Sequence, residues 1–145
     1  MEIVSINKAN DCLSEVPKPP VYLTDSAKEH WKDMARKLIK IQRLKETYLP
    51  ALEVFAESMA LWEFTCRKIR EAEKKEQGSG YFQTFSNGII QNSTWLNQQN
   101  AAIKRMFDSF KQFGLEPSSD KNLKSTTDPN QKSLFDELAE KINGA

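Results

Sequence analysis

Few side chains in this sequence have the types and spacing that covalent or metal chemistry needs. His30, the single histidine, could act as a general base, and Cys66 could act as a nucleophile. Neither has a partner in the local sequence, so we expect a solvated helix position for His30 and a small buried side chain at Cys66. Glu71, Glu73 and Glu76 could bind a metal ion, but lysines and arginines are interleaved with them, which is typical of a solvated helix end. The sequence therefore predicts no catalytic residue, no metal site and no cofactor.

A run of cations is the polar feature that could bind a ligand. No Asp or Glu occurs between residues 36 and 45, and five basic side chains lie there: Arg36, Lys37, Lys40, Arg43 and Lys45. Cations at the end of a helix have two interpretations, since they interact favourably with the helix dipole and they also bind phosphates. Phosphate contacts would give salt-sensitive DNA binding with little sequence specificity. We take these five residues as candidate contacts to the DNA backbone.

The composition of the chain excludes several classes of protein. Its 145 residues carry 21 basic and 20 acidic side chains, and a net charge of +1 argues against a simple polycation that coats nucleic acid. Cys12 and Cys66 are too few and too far apart for a disulfide framework, and neither a membrane-spanning run nor a signal peptide is recognisable. We therefore expect a cytoplasmic protein. Only 5 glycines and a mean hydropathy of −0.64 favour a mainly α fold with much solvated helix surface.

Three helices must position these side chains, because apolar residues recur every three or four positions in three segments. Pro50 falls in the first turn of the second helix, where proline is tolerated, and Gly114 ends the third. Between the second and third helices, aromatic and polar residues alternate around Asn87-Gly88, which predicts either a small hairpin or an irregular loop. The expected helix limits are Thr24 or Asp25 to about Ile41, about Glu46 to Gln77, and Ser93 or Thr94 to Phe113.

The second helix has two apolar faces. One stripe runs from Leu49 to Ile69 and includes Trp62, which we expect in the core together with Trp31 of the first helix. Leu61 and Phe64 lie off that stripe. A single neighbouring helix cannot cover both faces, so two neighbours are needed, from this chain or from another copy of it.

Short sequence motifs follow one another in a fixed order along this chain. They are the proline-rich arm Pro17-Lys18-Pro19-Pro20, then Leu23-Thr24, Ala27-Lys28-Glu29-x-Trp31, Leu44, Leu49-Pro50-Ala51-Leu52, Phe55-Ala56, Asn87-Gly88 and Phe113-Gly114-Leu115-x-Pro117-Ser118-Ser119. Over roughly residues 18 to 123, this order resembles the small terminase subunits of tailed bacteriophages, and the best of the motifs is the ending that follows the third helix. Two positions depart from the family pattern: Ser93 follows Asn92 where a proline is common, and Asp120 begins a segment where arginines are common.

The resemblance implies a non-catalytic DNA-packaging factor. Small terminase subunits form homo-oligomeric rings, recognise viral double-stranded DNA for packaging in the host cytoplasm, and recruit and regulate the large subunit, which carries the ATPase and nuclease. The absence of a phosphate-binding G-x-x-x-x-G-K-[ST] motif agrees with that division of labour. Two alternatives remain, namely a dimeric helix-turn-helix regulator and a structural head-completion protein.

The same resemblance gives roles to further residues. Leu61, Trp62 and Phe64 become candidates for the interface between ring subunits. A short amphipathic C-terminal helix becomes a candidate docking peptide for the large subunit through Leu134, Phe135, Leu138 and Ile142, although it could instead pack back on its own ring. The expected layout is an extended N-terminal arm (1–22), a helical DNA-binding and oligomerisation domain (23–117), a flexible linker (118–132) and the docking helix (133–145).

Overall fold

A computed structural model describes residues 6–7, 11–115 and 134–143, and within them it confirms a mainly α fold. The helices are α1 (Asp25–Lys40), α2 (Leu49–Lys75), α3 (Thr94–Gln112) and α4 (Leu134–Asn143), and a 3₁₀ turn, Glu46–Tyr48, leads into α2. Two antiparallel strand pairs accompany them: β1 (Ile6–Asn7) with β2 (Cys12–Leu13), and β3 (Phe82–Thr84) with β4 (Ile90–Asn92). Among the described helices, none combines the length and the apolar character that crossing a bilayer requires.

Local capping sets the start of α1 and α3. The Thr24 hydroxyl accepts the backbone N–H of Ala27 at 3.2 Å, and the Ser93 hydroxyl accepts that of Leu96 at 3.1 Å. Each bond satisfies an N–H group that the first helical turn leaves without an intrahelical partner. Both starts agree with the sequence prediction.

The second helix is slightly shorter than predicted. Residues 46 to 48 form the 3₁₀ turn, so α2 begins at Leu49 with Pro50 in its first turn, and it ends at Lys75 instead of Gln77. Fraying and 3₁₀ turns of this kind are common at helix ends.

Both apolar faces of α2 are covered by helices of the same chain. One side packs against α1, and the other packs against α3, where the Phe55 and Phe110 rings lie 5.7 Å apart. Thr65, a buried polar residue of α2, donates its hydroxyl to the Trp62 carbonyl at 2.7 Å and so carries no unsatisfied group. The sequence left open whether the two neighbours belong to this chain or to another copy, and here they are α1 and α3.

Residues 81 to 92 form a hairpin and not an irregular loop. Phe82 pairs with Asn92, Gln83 with Gln91 and Thr84 with Ile90. Phe85 donates its N–H to the Ile89 carbonyl, which leaves a three-residue loop with Gly88 at φ 84°. A glycine at positive φ closes such three-residue hairpins without steric cost.

The root of the hairpin is tied to α2. The two Glu73 carboxylate oxygens accept the N–H groups of Gly78 at 2.9 Å and Gly80 at 3.0 Å, and the Ser93 hydroxyl donates to the Gly80 carbonyl at 2.6 Å. A Cβ on Gly80 would lie 2.6 Å from the Ile69 carbonyl oxygen, so only glycine fits this close approach.

The N-terminal segment packs on the helices along part of its length. Leu13 is buried and donates its N–H to the Leu44 carbonyl at 2.7 Å, and the Trp31 indole donates to the Pro17 carbonyl at 2.8 Å. At the other end of the chain, Leu138 of α4 is buried in the same core. The predicted linker, 118–132, lies outside the described residues.

Candidate nucleic-acid interface

The run of five cations between residues 36 and 45 is called the basic run. The positions of its side chains follow from the way in which α1 ends. Gln42 adopts a left-handed conformation at φ 56°, its N–H bonds to the Ile39 carbonyl at 3.0 Å, and the Arg43 N–H bonds to the Leu38 carbonyl at 2.8 Å. This pair of bonds is a Schellman motif, which satisfies the last carbonyls of the helix and turns the chain away from its axis. The run is thereby divided between the last turns of α1 and the connection to α2.

Arg36 and Lys40 form an exposed pair on the last turns of α1. They are four residues apart, which makes them neighbours on one face of the helix. Within the described residues neither has a carboxylate at ion-pair distance. Two solvated cations at this spacing can contact phosphate oxygens without first breaking a bond inside the protein.

Lys37 is opposed by an acid, in contrast to the prediction. Its Nζ lies 3.1 Å from Asp33 Oδ2, and Lys141 of α4 lies 4.0 Å from the same oxygen. The sequence gap in acids begins after Asp33, but one helical turn brings that carboxylate back beside Lys37. Lys37 therefore contributes less free positive charge to the surface than Arg36 or Lys40.

Arg43 and Lys45 are engaged with their own chain. Arg43 Nη1 donates to the Gly114 carbonyl at 2.9 Å, just beyond the C-terminus of α3, where a cation interacts favourably with the helix dipole. Lys45 Nζ lies 5.8 Å from the centre of the Tyr48 ring, and the backbone of Lys45 forms a bridge with Cys12. These two cations stabilise the junction between α1, α2 and the end of α3.

The residues considered for catalysis have structural partners. His30 was expected in solvent with no carboxylate, and that was wrong: its side chain is only 12% exposed, and Nε2 lies 3.0 Å from Glu63 Oε1 of α2. Cys66 was expected to be buried, but it is half-buried and accepts a hydrogen bond from Gln99 Nε2 at 3.2 Å.

Two of the acidic residues at the end of α2, Glu71 and Glu73, have partners in their own chain. Glu73 holds the hairpin root, and Glu71 lies 3.5 Å from Lys68. No cluster of three or more metal-ligating side chains occurs in the part of the chain that the structure describes.

Comparison with known families decides the assignment. A family model described as phage terminase, small subunit, matches residues 27–130, which is most of the chain. The chain belongs to the phage terminase small-subunit family. The matched range runs from α1 through α3 and beyond, and it leaves out the N-terminal segment and α4. No curated protein and no solved structure matches the chain significantly.

The family assignment connects this small terminase subunit with phage DNA packaging, and hence with DNA and a large terminase subunit. The basic end of α1 lies inside the matched range. Family membership does not say which residues make these contacts, so the geometry of each candidate set decides what can be proposed for it.

Two of the three residues predicted for a subunit interface, Trp62 and Phe64, have different neighbours in the structure. Phe64 is 40% exposed and packs edge-on against Trp95 of α3 at 5.7 Å, with Lys68 Nζ 5.5 Å from the Phe64 ring centre. Trp62 lines a cleft of about 210 Å³ between α2 and α4, together with Ile142. Leu61 is half-buried. Phe64 and Trp62 thus face different elements of their own chain.

The predicted docking helix lies against its own chain. Leu138 is 3% exposed in the core, and Ile142 packs against it. The side chains of Leu134 and Phe135 are outside the described part of α4. Two members of this candidate set are therefore used by the fold itself.

Sequence reasoning missed two features of the described chain. One is the Arg43–Gly114 bond, which joins positions 71 residues apart and has no local signature. The other is the hairpin surface, where every residue from 81 to 92 is exposed. A signal for the second was available, because residues 77 to 103 contain no charged side chain.

Proposed function

We propose that this chain is a non-catalytic, ring-forming small terminase subunit that binds viral double-stranded DNA in the host cytoplasm and recruits and regulates the large terminase subunit. The observation that carries the proposal is the family match over residues 27–130. The fold supports it with a basic surface at the end of α1 that needs no rearrangement to contact phosphates.

The DNA contact is assigned to the basic run, with its five cations in different roles. Arg36 and Lys40 are the primary phosphate contacts because both are exposed and lack a carboxylate partner in the described chain. Lys37 shares its charge with Asp33, whereas Arg43 and Lys45 hold the turn that presents the pair. A ring would repeat the pair once per subunit, so a net charge of +1 per copy does not prevent binding.

Charge reversal tests this assignment. In the double variant Arg36→Glu with Lys40→Glu, we expect DNA affinity at low salt to fall by about tenfold or more, and the slope of log K against log salt to become shallower by about 2. Fluorescence anisotropy with a labelled duplex, measured over a salt series, reads out both quantities.

The matched control is Lys74→Glu with Lys75→Glu, which makes the same change in charge at the exposed end of α2. If both double variants lose affinity equally, overall charge and not the end of α1 governs binding. Unchanged affinity in the Arg36 and Lys40 variant would remove the assignment.

The mass of the protein in solution separates the ring from its alternatives. A closed ring predicts a single large species at micromolar concentration, whereas a helix-turn-helix regulator predicts a two-fold dimer bound to a short palindrome. A head-completion protein without DNA contact predicts no salt-dependent duplex binding. A monomer or dimer would contradict the ring even if DNA binding persists.

Leu61, Trp62 and Phe64 stay candidates for the ring interface, but only part of their surface is available for it. Phe64 and Leu61 keep part of their surface exposed, and that part is available to a neighbouring subunit. Trp62 can contribute only if α4 leaves the cleft or the neighbour packs over its rim.

A further inference from the structure

The hairpin formed by β3 and β4 projects from the helices with both of its faces in solvent. Every residue from 81 to 92 is exposed, in contrast to Gly80 and Ser93, which are buried at its root. The hairpin is therefore buried only at its root. A two-stranded hairpin is marginally stable on its own in water, so packing against another surface would stabilise it.

Both faces of the hairpin are apolar. The strand register places Phe82 and Ile90 on one face, and Phe85 and Ile89 on the other with Tyr81. These five side chains are between 42% and 65% exposed. Their exposed surface is on the order of 500 Å² per copy, divided about equally between the two faces.

The hairpin also lies in the longest uncharged part of the chain. Residues 77 to 103 contain no Asp, Glu, Lys or Arg, whereas 28% of the whole chain is charged. Without cations, the hairpin offers no ionic contact to DNA phosphates or to anionic lipid headgroups. The chemistry that recognises it is apolar side-chain packing together with backbone hydrogen bonds at its two open strand edges.

We propose that the hairpin binds the hairpin region of a second copy of this chain. When two copies of a charged surface meet, like charges repel each other. Two copies of this uncharged surface can meet without that repulsion. Two hairpins packed through one face each would remove about 500 Å² from water, which is less than a specific interface needs on its own, so the hairpin contact adds to other contacts between ring subunits. The inference deepens the ring of the proposed function by naming a subunit contact in addition to Leu61, Trp62 and Phe64, and it rests on that function.

The test uses the full chain, with the mass of the assembly measured from nanomolar to micromolar concentration. In the variant Phe82→Lys with Ile90→Lys, we expect assembly to require at least a hundredfold higher concentration than in the wild type. Far-UV circular dichroism is expected to show unchanged helix content, because both side chains are more than half exposed and lie outside the buried core. The matched control, Val21→Lys with Val54→Lys, adds the same charge at two exposed apolar positions elsewhere and is expected to assemble as the wild type does.

A shortened hairpin provides a second variant. Because Phe82 and Asn92 are register partners, residues 83 to 91 can be replaced by Asn-Gly, which closes a two-residue turn between them. This variant is also expected to lose assembly while keeping its helices.

The outcomes separate the inference from the function on which it rests. A wild type that stays monomeric contradicts the ring itself. If the wild type forms a ring and both hairpin variants still form it, only the hairpin contact is overturned. An equal loss of assembly in the control variant would overturn the same contact. Reduced DNA affinity at unchanged mass would also overturn it and would assign the hairpin to DNA as an inserting apolar wedge.

Discussion

Gln42 is the residue on which the presentation of the basic run depends. It occupies the left-handed position of the α1 Schellman motif, where Gly114 occupies the equivalent position after α3 with φ 70°. A residue with a Cβ is strained there by about 1–2 kcal/mol, and glycine is not. The strain is therefore present at the C-terminus of α1, which carries the cations, and absent at the C-terminus of α3.

Replacing Gln42 tests that strain. We expect Gln42→Gly to unfold at higher urea concentration than Gln42→Ala, with a difference of about 1 kcal/mol in the free energy of unfolding. Both variants remove the same side-chain contacts, so the comparison isolates the backbone. Equal stability of the two would mean that the turn relaxes when the side chain is removed.

At the scale of elements, the N-terminal segment is part of the fold. Leu13 is 2% exposed, and its backbone bonds to Leu44 in the connection between α1 and α2. The sequence predicted an extended arm from its prolines, but the buried residues Cys12, Leu13 and Pro17 attach residues 11 to 17 to the helices.

Truncating Leu13 measures this attachment. Leu13→Ala is expected to lower the free energy of unfolding by about 2–4 kcal/mol, because it empties a fully buried site. Val16→Ala is the matched control, since Val16 is 38% exposed, and it is expected to cost less than about 0.5 kcal/mol. Chemical denaturation of both variants provides the measurement, and a similar small cost for both would show that the segment detaches readily.

The elements were predictable from sequence where their causes are local. Thr24 and Ser93 cap helices through bonds to residues three positions away, and Gly114 ends α3 within its own turn. His30 and Glu63 meet only because α1 packs on α2, and Arg43 reaches Gly114 only because α3 returns to the same end of the bundle. Tertiary packing decides such contacts, and a single sequence carries no periodic signal for them.

At the scale of the whole molecule, α4 is held against the bundle while serving as the candidate docking peptide. Leu138 is buried, and Lys141 lies 4.0 Å from Asp33, which also faces Lys37. A partner that takes the apolar face of α4 must therefore displace it from its own chain. A partner that binds only the first turn of α4, at Leu134 and Phe135, is the alternative mode.

The variant Leu134→Ser with Phe135→Ser distinguishes these two modes in the full chain. We expect it to reduce stimulation of the large-subunit ATPase at least severalfold if docking uses that end of α4, and a thermal melt of the variant measures whether the bundle keeps its stability. Truncation after Leu123 removes the whole helix and is expected to abolish stimulation. Undiminished stimulation by the truncated protein would contradict any docking role for α4, provided that its helix content and mass are preserved.

The uncharged hairpin has a further consequence for how the protein behaves when it is handled. Contacts made by Phe82, Phe85 and Ile90 would draw on the hydrophobic effect, which weakens on cooling and is strengthened by sulfate. Contacts of Arg36 and Lys40 with phosphates would instead weaken as salt is added, because salt screens exposed charges. Concentrated sulfate would therefore release the DNA from an intact assembly, whereas a cold, dilute buffer would take the assembly itself apart.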